Sequence, residues 1–217
     1  MHSFVYIPAI QGYDSSTWRT IEGAPKSHSG SLHLVASTCM SHASMLRGDL
    51  TIRANIPTPP ATANVSRQIG LLRYGTNQKA YFDFVAGGSL MCRVGDINAT
   101  TVDTANVPWD ASWTGTDVDY TIIWEAGLVR FLINGVQAGI ASYSLTLGAE
   151  SVPDVPLSVY LSSMDSDDML IKSVTMLNIS SFYQPIDVDN TTFTTSFNLS
   201  NAVETITVSE NVVALKT

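Results

Sequence analysis

Asp165-Ser166-Asp167-Asp168 is a compact acidic cluster, and calcium selects oxygen-rich stretches of this kind. It lacks the glycine and the distal bidentate glutamate of an EF-hand loop. It therefore reads either as a calcium site built from Asp165, Asp167 and Asp168 or as a solvated acidic turn. A second set of residues suits sugars. Trp109 and Trp113 share a polar stretch with Asp110, Ser112 and Asp117. Sugar rings stack their apolar faces on aromatics while Asp, Asn and Arg satisfy the hydroxyls. Tyr74, Tyr81, Asp83, Trp109 and Trp113 form the expected glycan-binding set. For the two tryptophans a plainer reading stands beside it, in which both cap an open end of the fold, since Trp is mostly buried in proteins.

Other chemistries find little footing. His2, His28, His33 and His42 show no HxH or HxxxH spacing, so no structural zinc is expected. There is no Gly-x-Ser-x-Gly, no Walker loop and no Gly-x-Gly-x-x-Gly, and Ser41-His42 is an isolated pair. Cys39 and Cys92 are too few for a disulfide framework, and Cys92 sits in the apolar run from Leu90 to Val94 as a small hydrophobe. Arg47-Gly48-Asp49 spells an integrin tripeptide, but Gly48-Asp49 more simply starts a strand after a turn. The sequons at Asn64, Asn98, Asn178, Asn190 and Asn198 matter only in a secretory chain.

The elements that must position these residues are strands. Leu32, Leu34 and Ala36 recur every second residue, as do Leu50, Ile52, Ala54 and Ile56, then Ala80, Phe82 and Phe84, then Leu157, Val159 and Leu161. Period-two apolar runs place one face in a core and the other toward solvent or ligand. Tyr120 to Gln137 holds two such runs around Glu125-Ala-Gly127 and ends at Asn134-Gly135. Asn-Gly accepts the two positive φ angles of a type I′ turn, so three consecutive antiparallel strands are predicted. Ile56 to Asn64 carries three prolines and cannot be an interior strand, while 98–116 reads as a long loop. The 181–217 region, rich in Thr, Asn and Val, reads as an extended arm or one or two added strands.

Composition sets further bounds. The 217 residues suffice for one sandwich, and 11 Lys plus Arg against 19 Asp plus Glu give a net charge of −8, which argues against nucleic-acid binding. No apolar run approaches the roughly 20 residues of a membrane span. The start, Met1 to Pro8, lacks the basic and apolar regions of a signal peptide.

The Tyr120-x-Ile-x-Trp124…Phe131-x-Ile-Asn-Gly135 segment resembles the signature of the concanavalin A-like lectin/glucanase superfamily, which includes laminin G-like and glycoside hydrolase family 16-like domains. Gly48 to Arg53, Ile69 to Tyr74, Ala80 to Phe84, Pro156 to Leu161 and Met169 to Met176 resemble further strands of that fold, in the same order. The resemblance implies an all-β jelly-roll sandwich of two antiparallel sheets over 29–180, preceded by an N-terminal strand or arm segment (1–28) and followed by a C-terminal extended arm (181–217). Its hydrolases carry Glu-x-Asp-x-x-Glu, because two carboxylates must flank the scissile bond. The matching stretch here is Tyr81 to Ala86: Asp83 keeps the central acid, while Tyr81 and Ala86 stand at the nucleophile and acid positions. The implied expectation is a protein that is not an enzyme.

Taken with the uncharged surface and the arm, the chain looks like a bacteriophage virion structural protein, a capsid decoration or tail-associated protein located in the virion. It is expected to form a homo-oligomer, a trimer among the options, with other virion proteins as partners and with neither nucleic acid nor membrane. A carbohydrate-binding adhesin at the cell surface and a divergent glycoside hydrolase are the alternatives. No cofactor is expected beyond the calcium option.

Overall fold

The computed structural model describes residues 3–60, 67–76, 78–85, 87–95, 101–125, 127–142, 153, 155–164, 166–178, 194–199 and 202–207. In chain order the strands are β1 (Ser3–Tyr6), β2 (Trp18–Glu22), β3 (Lys26–His28), β4 (Ser31–Leu34), β5 (Ser37–Met45), β6 (Gly48–Asn55), β7 (Arg67–Leu72), β8 (Lys79–Val85), β9 (Ser89–Gly95), β10 (Thr101–Pro108), β11 (Asp117–Glu125), β12 (Leu128–Ile133), β13 (Val136–Ser142), β14 (Leu157–Ser163), β15 (Met169–Asn178), β16 (Thr194–Leu199) and β17 (Ala202–Thr207). Two antiparallel sheets make a sandwich. One runs β13-β12-β11-β6-β15-β4-β3 with β1 also paired to β15, and the other runs β10-β9-β8-β7-β14-β5-β2.

The period-two runs build the core between the sheets. Leu50, Ile52, Ala54, Val118, Tyr120, Ile122 and Trp124 face Ile69, Leu71, Phe82, Phe84, Val159 and Leu161, all at 1% exposure or less. Each large apolar side chain so buried contributes about 1.5–3 kcal/mol relative to solvent exposure. Edge-to-face contacts order the aromatic centre, with Phe82 at 5.3 Å from Tyr120 and 5.2 Å from Phe131. Cys39 and Cys92 are both buried free thiols.

Two turns and two bulges decide local detail. Asn134 and Gly135 take φ of 50° and 78° with Ile133 paired to Val136, the two-residue turn expected of Asn-Gly. The Asn134 Oδ1 also accepts the Asp119 N–H at 3.0 Å, tying the turn to β11. In β15 the pairing with β6 slips between Ile171 and Ser173, so Ile171 and Val174 both turn inward despite their odd spacing.

Two local expectations fail. Ala36 does not continue the β4 alternation; it is exposed at φ 41° in the turn to β5. The stretch 98–116 is no simple loop either, because Thr101–Pro108 is an edge strand paired to β9. A register shift between Asp103 and Ala105 interrupts its alternation, and Thr104 Oγ1 donates to the Cys92 carbonyl at 3.1 Å. That bulge hides the strand from a period-two reading.

The N-terminal stretch supplies β1, β2 and β3, so it contributes to both sheets. The chain divides into two compact units, Met1–Phe182 and Tyr183–Thr217. The described part of the second is an antiparallel hairpin of β16 and β17.

Candidate functional site

Alternation that sends Ala80, Phe82 and Phe84 inward must send Tyr81, Asp83 and Val85 to the outer face of the seven-stranded sheet. Interstrand registers extend these positions across the sheet. Arg93 pairs with Tyr81, Tyr81 with Gly70, Gly70 with Tyr160, Tyr160 with Met40, and Met40 with Arg19. This row crosses six strands, five spacings of about 4.8 Å each, and so runs about 24 Å. A second row lies beside it: Met91, Asp83, Gln68, Ser162, Thr38 and Glu22 are paired in the same way.

The first row is aromatic and sulfur-bearing between two guanidinium ends; the second is mainly polar. Gly70 separates the tyrosines because nothing larger fits. A Cβ there would meet the Ala80 carbonyl oxygen at 2.5 Å and Tyr81 Cα and Cβ at 2.6 and 2.7 Å. Gly70 thus sits between the buried Tyr81 and the half-buried Tyr160 with its side-chain position already filled by the neighbouring strand.

Hydrogen bonds fix the polar row. Asp83, only 2% exposed, pairs with Arg93 Nη1 through one oxygen and accepts from Gln68 Nε2 at 3.3 Å through the other. Thr38 and Ser162 share a hydroxyl–hydroxyl bond of 2.8 Å. Lys79 reaches over the Tyr81 ring at 5.2 Å. Burial first, then the Arg93 charge, push the Lys79 ammonium below its ordinary range, with Asp83 opposing. At the far end the Arg19 guanidinium lies 5.6 Å from the ring centroid of Tyr74, which is 56% exposed.

Of the expected glycan set, Tyr81 and Asp83 therefore stand in the two rows, and Tyr74 lies beside the Arg19 end. The tryptophans are elsewhere. Trp109 packs edge-on against Phe84 at 6.1 Å, on the core side of β8, and meets Trp113 at 5.4 Å. Its indole N–H donates to Thr114 Oγ1 at 3.0 Å. Both pack against the core, as capping residues would. Arg93, Gln68, Tyr160, Met40, Ser162, Thr38 and Arg19 were missed by sequence reasoning. Arg93, Gln68 and Tyr160 alternate with buried neighbours, whereas Thr38, Met40 and Ser162 sit in buried runs; only strand register aligns them all.

The acidic cluster is divided between His33 and Arg67. Asp168 Oδ2 lies 2.7 Å from His33 Nδ1, while Asp167 faces the fully buried Arg67 at 3.9 Å. Arg67 also donates to the Thr58 carbonyl at 2.7 Å. Asp165 and Ala86 lie outside the described residues. Among the described residues no group of three or more His, Cys, Asp or Glu side chains could hold a metal ion.

No protein-family model and no curated protein sequence matches this chain. Solved structures do match. A prokaryotic β-1,3-1,4-glucanase (lichenase) from a mouse hindgut metagenome superposes with a TM-score of 0.66 at 12% identity, covering 82% of this chain and all of that one. A transglycosylase solved in complex with NAG gives 0.65 at 14% identity over 82% of this chain and 84% of its own. The catalytic domain of an endo-1,3-β-glucanase (laminarinase) from Thermotoga petrophila gives 0.64 at 11%, over 82% and 97%. The fold is a concanavalin A-like jelly roll.

These matches correct the functional expectation. The reading of a non-enzymatic virion structural protein is contradicted, because the matching structures are glucanases and a transglycosylase. That reading rested on composition and on the arm, which describe surface character; neither bears on the sheet face that the jelly roll assembles. The departures at Tyr81 and Ala86 bear on one motif and do not decide the class of the whole fold.

Proposed function

We propose that this chain is a carbohydrate-active protein that holds a polysaccharide across the outer face of its seven-stranded sheet. The observation that carries the reading is the pair of transverse rows. One sets Tyr81 and the half-buried Tyr160 on either side of Gly70, the other sets the half-buried Gln68 beside Asp83, Ser162 and Thr38. Tyr81, Asp83, Ser162 and Thr38 are 6% exposed or less, so Tyr160 and Gln68 are the first points of contact for a ligand. A sugar ring has an apolar face and a rim of hydroxyls, so adjacent aromatic and hydrogen-bonding rows suit it, and a row about 24 Å long suits a chain of rings. The glucanase and transglycosylase matches point to the same ligand class.

Glycosidic-bond chemistry on this face draws on Asp83. Ion-paired to Arg93, it suits the anionic role in a two-carboxylate reaction and leaves proton donation to another group. Along its own row the other carboxylate is Glu22, four strand spacings or about 19 Å away, beyond the separation either hydrolytic geometry uses.

The test pairs binding with turnover. Laminarin and lichenan oligosaccharides are titrated by calorimetry, and product release or transfer is followed chromatographically. Tyr160→Ala should weaken binding about tenfold, as loss of one stacked ring predicts. Any turnover should fall with Asp83→Asn. Absence of both binding and turnover across β-glucans, chitin oligosaccharides and galactans would overturn the proposal.

A further inference from the structure

The two sheets meet at their edges where β10 approaches β13, close enough that a Cβ on Gly139 would lie 2.9 Å from Thr104 Oγ1 and 3.1 Å from Ala105 Cβ. Beside that seam opens a cleft of about 360 Å³, walled by Val107, Trp113, Ile133 and Val136 with the amides of Asn134 and Gln137 on its rim. Its volume falls within the range of small-ligand sites. It lies away from the two transverse rows, since none of their residues lines it.

We propose that this cleft is a second saccharide-binding site, with Trp113 as its stacking platform. Trp113 is half-buried and ends a series of edge-to-face rings that runs through Trp109 and Phe84 to Tyr120. The indole is therefore held in place before any ligand arrives, so little side-chain freedom is lost on binding. No hydrogen bond among the described residues uses the Trp113 indole N–H. The Asn134 carbonyl oxygen is taken by the Asp119 N–H, which turns the Asn134 side chain to a fixed orientation with its amide N–H₂ as the remaining donor. Gln137 is exposed and adds a donor and an acceptor.

The cleft lining contains no charged side chain. Its occupant is thus neutral, with one apolar face and hydroxyls at the rim: a hexose unit of the polymer proposed above, on which this inference rests. Val136, 72% exposed, supplies apolar contact that solvation alone does not explain.

The experiment is an NMR titration of the full chain with laminarihexaose and with a mixed-linkage gluco-oligosaccharide, observing Trp indole N–H and Tyr160 backbone signals. Trp113 should shift saturably. The variant Val136→Ser/Gln137→Ala changes two exposed side chains outside the core, and should weaken that shift five- to tenfold while the Tyr160 response stays as it was. If Tyr160 responds and Trp113 does not, the cleft is refuted and the sheet-face reading stands. If neither responds, both fall. A Trp113 shift unaffected by the double variant, or one that follows protein concentration without sugar, refutes the cleft in favour of structural coupling or of a second copy of the chain.

Discussion

Gly70→Ala tests the central geometric claim, that β7 and β8 approach too closely between Tyr81 and Tyr160 for a side chain at position 70. An added Cβ would stand 2.5 Å from the Ala80 carbonyl oxygen, where ordinary contact begins near 3.4 Å. The strands must then part locally by the difference, about 0.9 Å. The obstacle is backbone, so no rotamer relieves it. Overpacking of this kind costs about 1–3 kcal/mol, and one or two stretched ladder hydrogen bonds add about 1 kcal/mol each. The sum, about 2–5 kcal/mol, corresponds to a melting temperature lowered by about 4–11 °C in a chain of this size. Differential scanning calorimetry reads the loss. Oligosaccharide titration well below the transition reads the displacement of Tyr81 as weakened binding. A Gly70→Ala protein melting within 1 °C of the parent and binding sugar equally well would refute the close approach and its role in holding Tyr81 in place.

Two further outcomes follow from burial. Desolvation pushes the Cys39 and Cys92 thiols up to about 12, so thiolate is scarce at neutral pH. Neither should react with a disulfide reagent in the native protein, and both should react once it is unfolded; rapid native labelling of either would contradict the assigned burial. Asp49 carries its carboxyl above the usual range, through burial first and then the neighbouring Glu125, with Arg130 opposing. The folded state thus binds this proton more tightly than the unfolded chain does. Stability falls as pH rises through the raised value, and the ionised group carries a penalty above it. Asp49→Asn should therefore melt about 1–2 °C higher at pH 7, a small gain because Arg130 offsets part of the penalty on the half-buried carboxylate, and the gain should vanish below about pH 3.5. A lower melting temperature at pH 7 would reverse the sign of the argument.

Much of the sandwich is legible in the chain. The alternations at Leu50–Ile56, Ala80–Phe84 and Leu157–Leu161 place their residues inside as period two requires. Asn134-Gly135 marks its hairpin because few other pairs accept two positive φ angles. The reading fails where a local irregularity breaks the period, at the β10 bulge and at Ala36.

Local sequence thus determined which residues form strands and which face of each strand is apolar, because both depend on neighbours within a few positions. Tertiary structure alone decided which outward residues meet. Arg93, Tyr81, Gly70, Tyr160, Met40 and Arg19 span 142 positions of sequence, from 19 to 160, and fall in one line through five independent strand pairings. The same holds for the rings that carry Trp113 to the cleft. Each register is set by burial on the opposite face of the sheet, where a slip of one residue would expose the core. The packing of the core therefore fixes the geometry of the outer face.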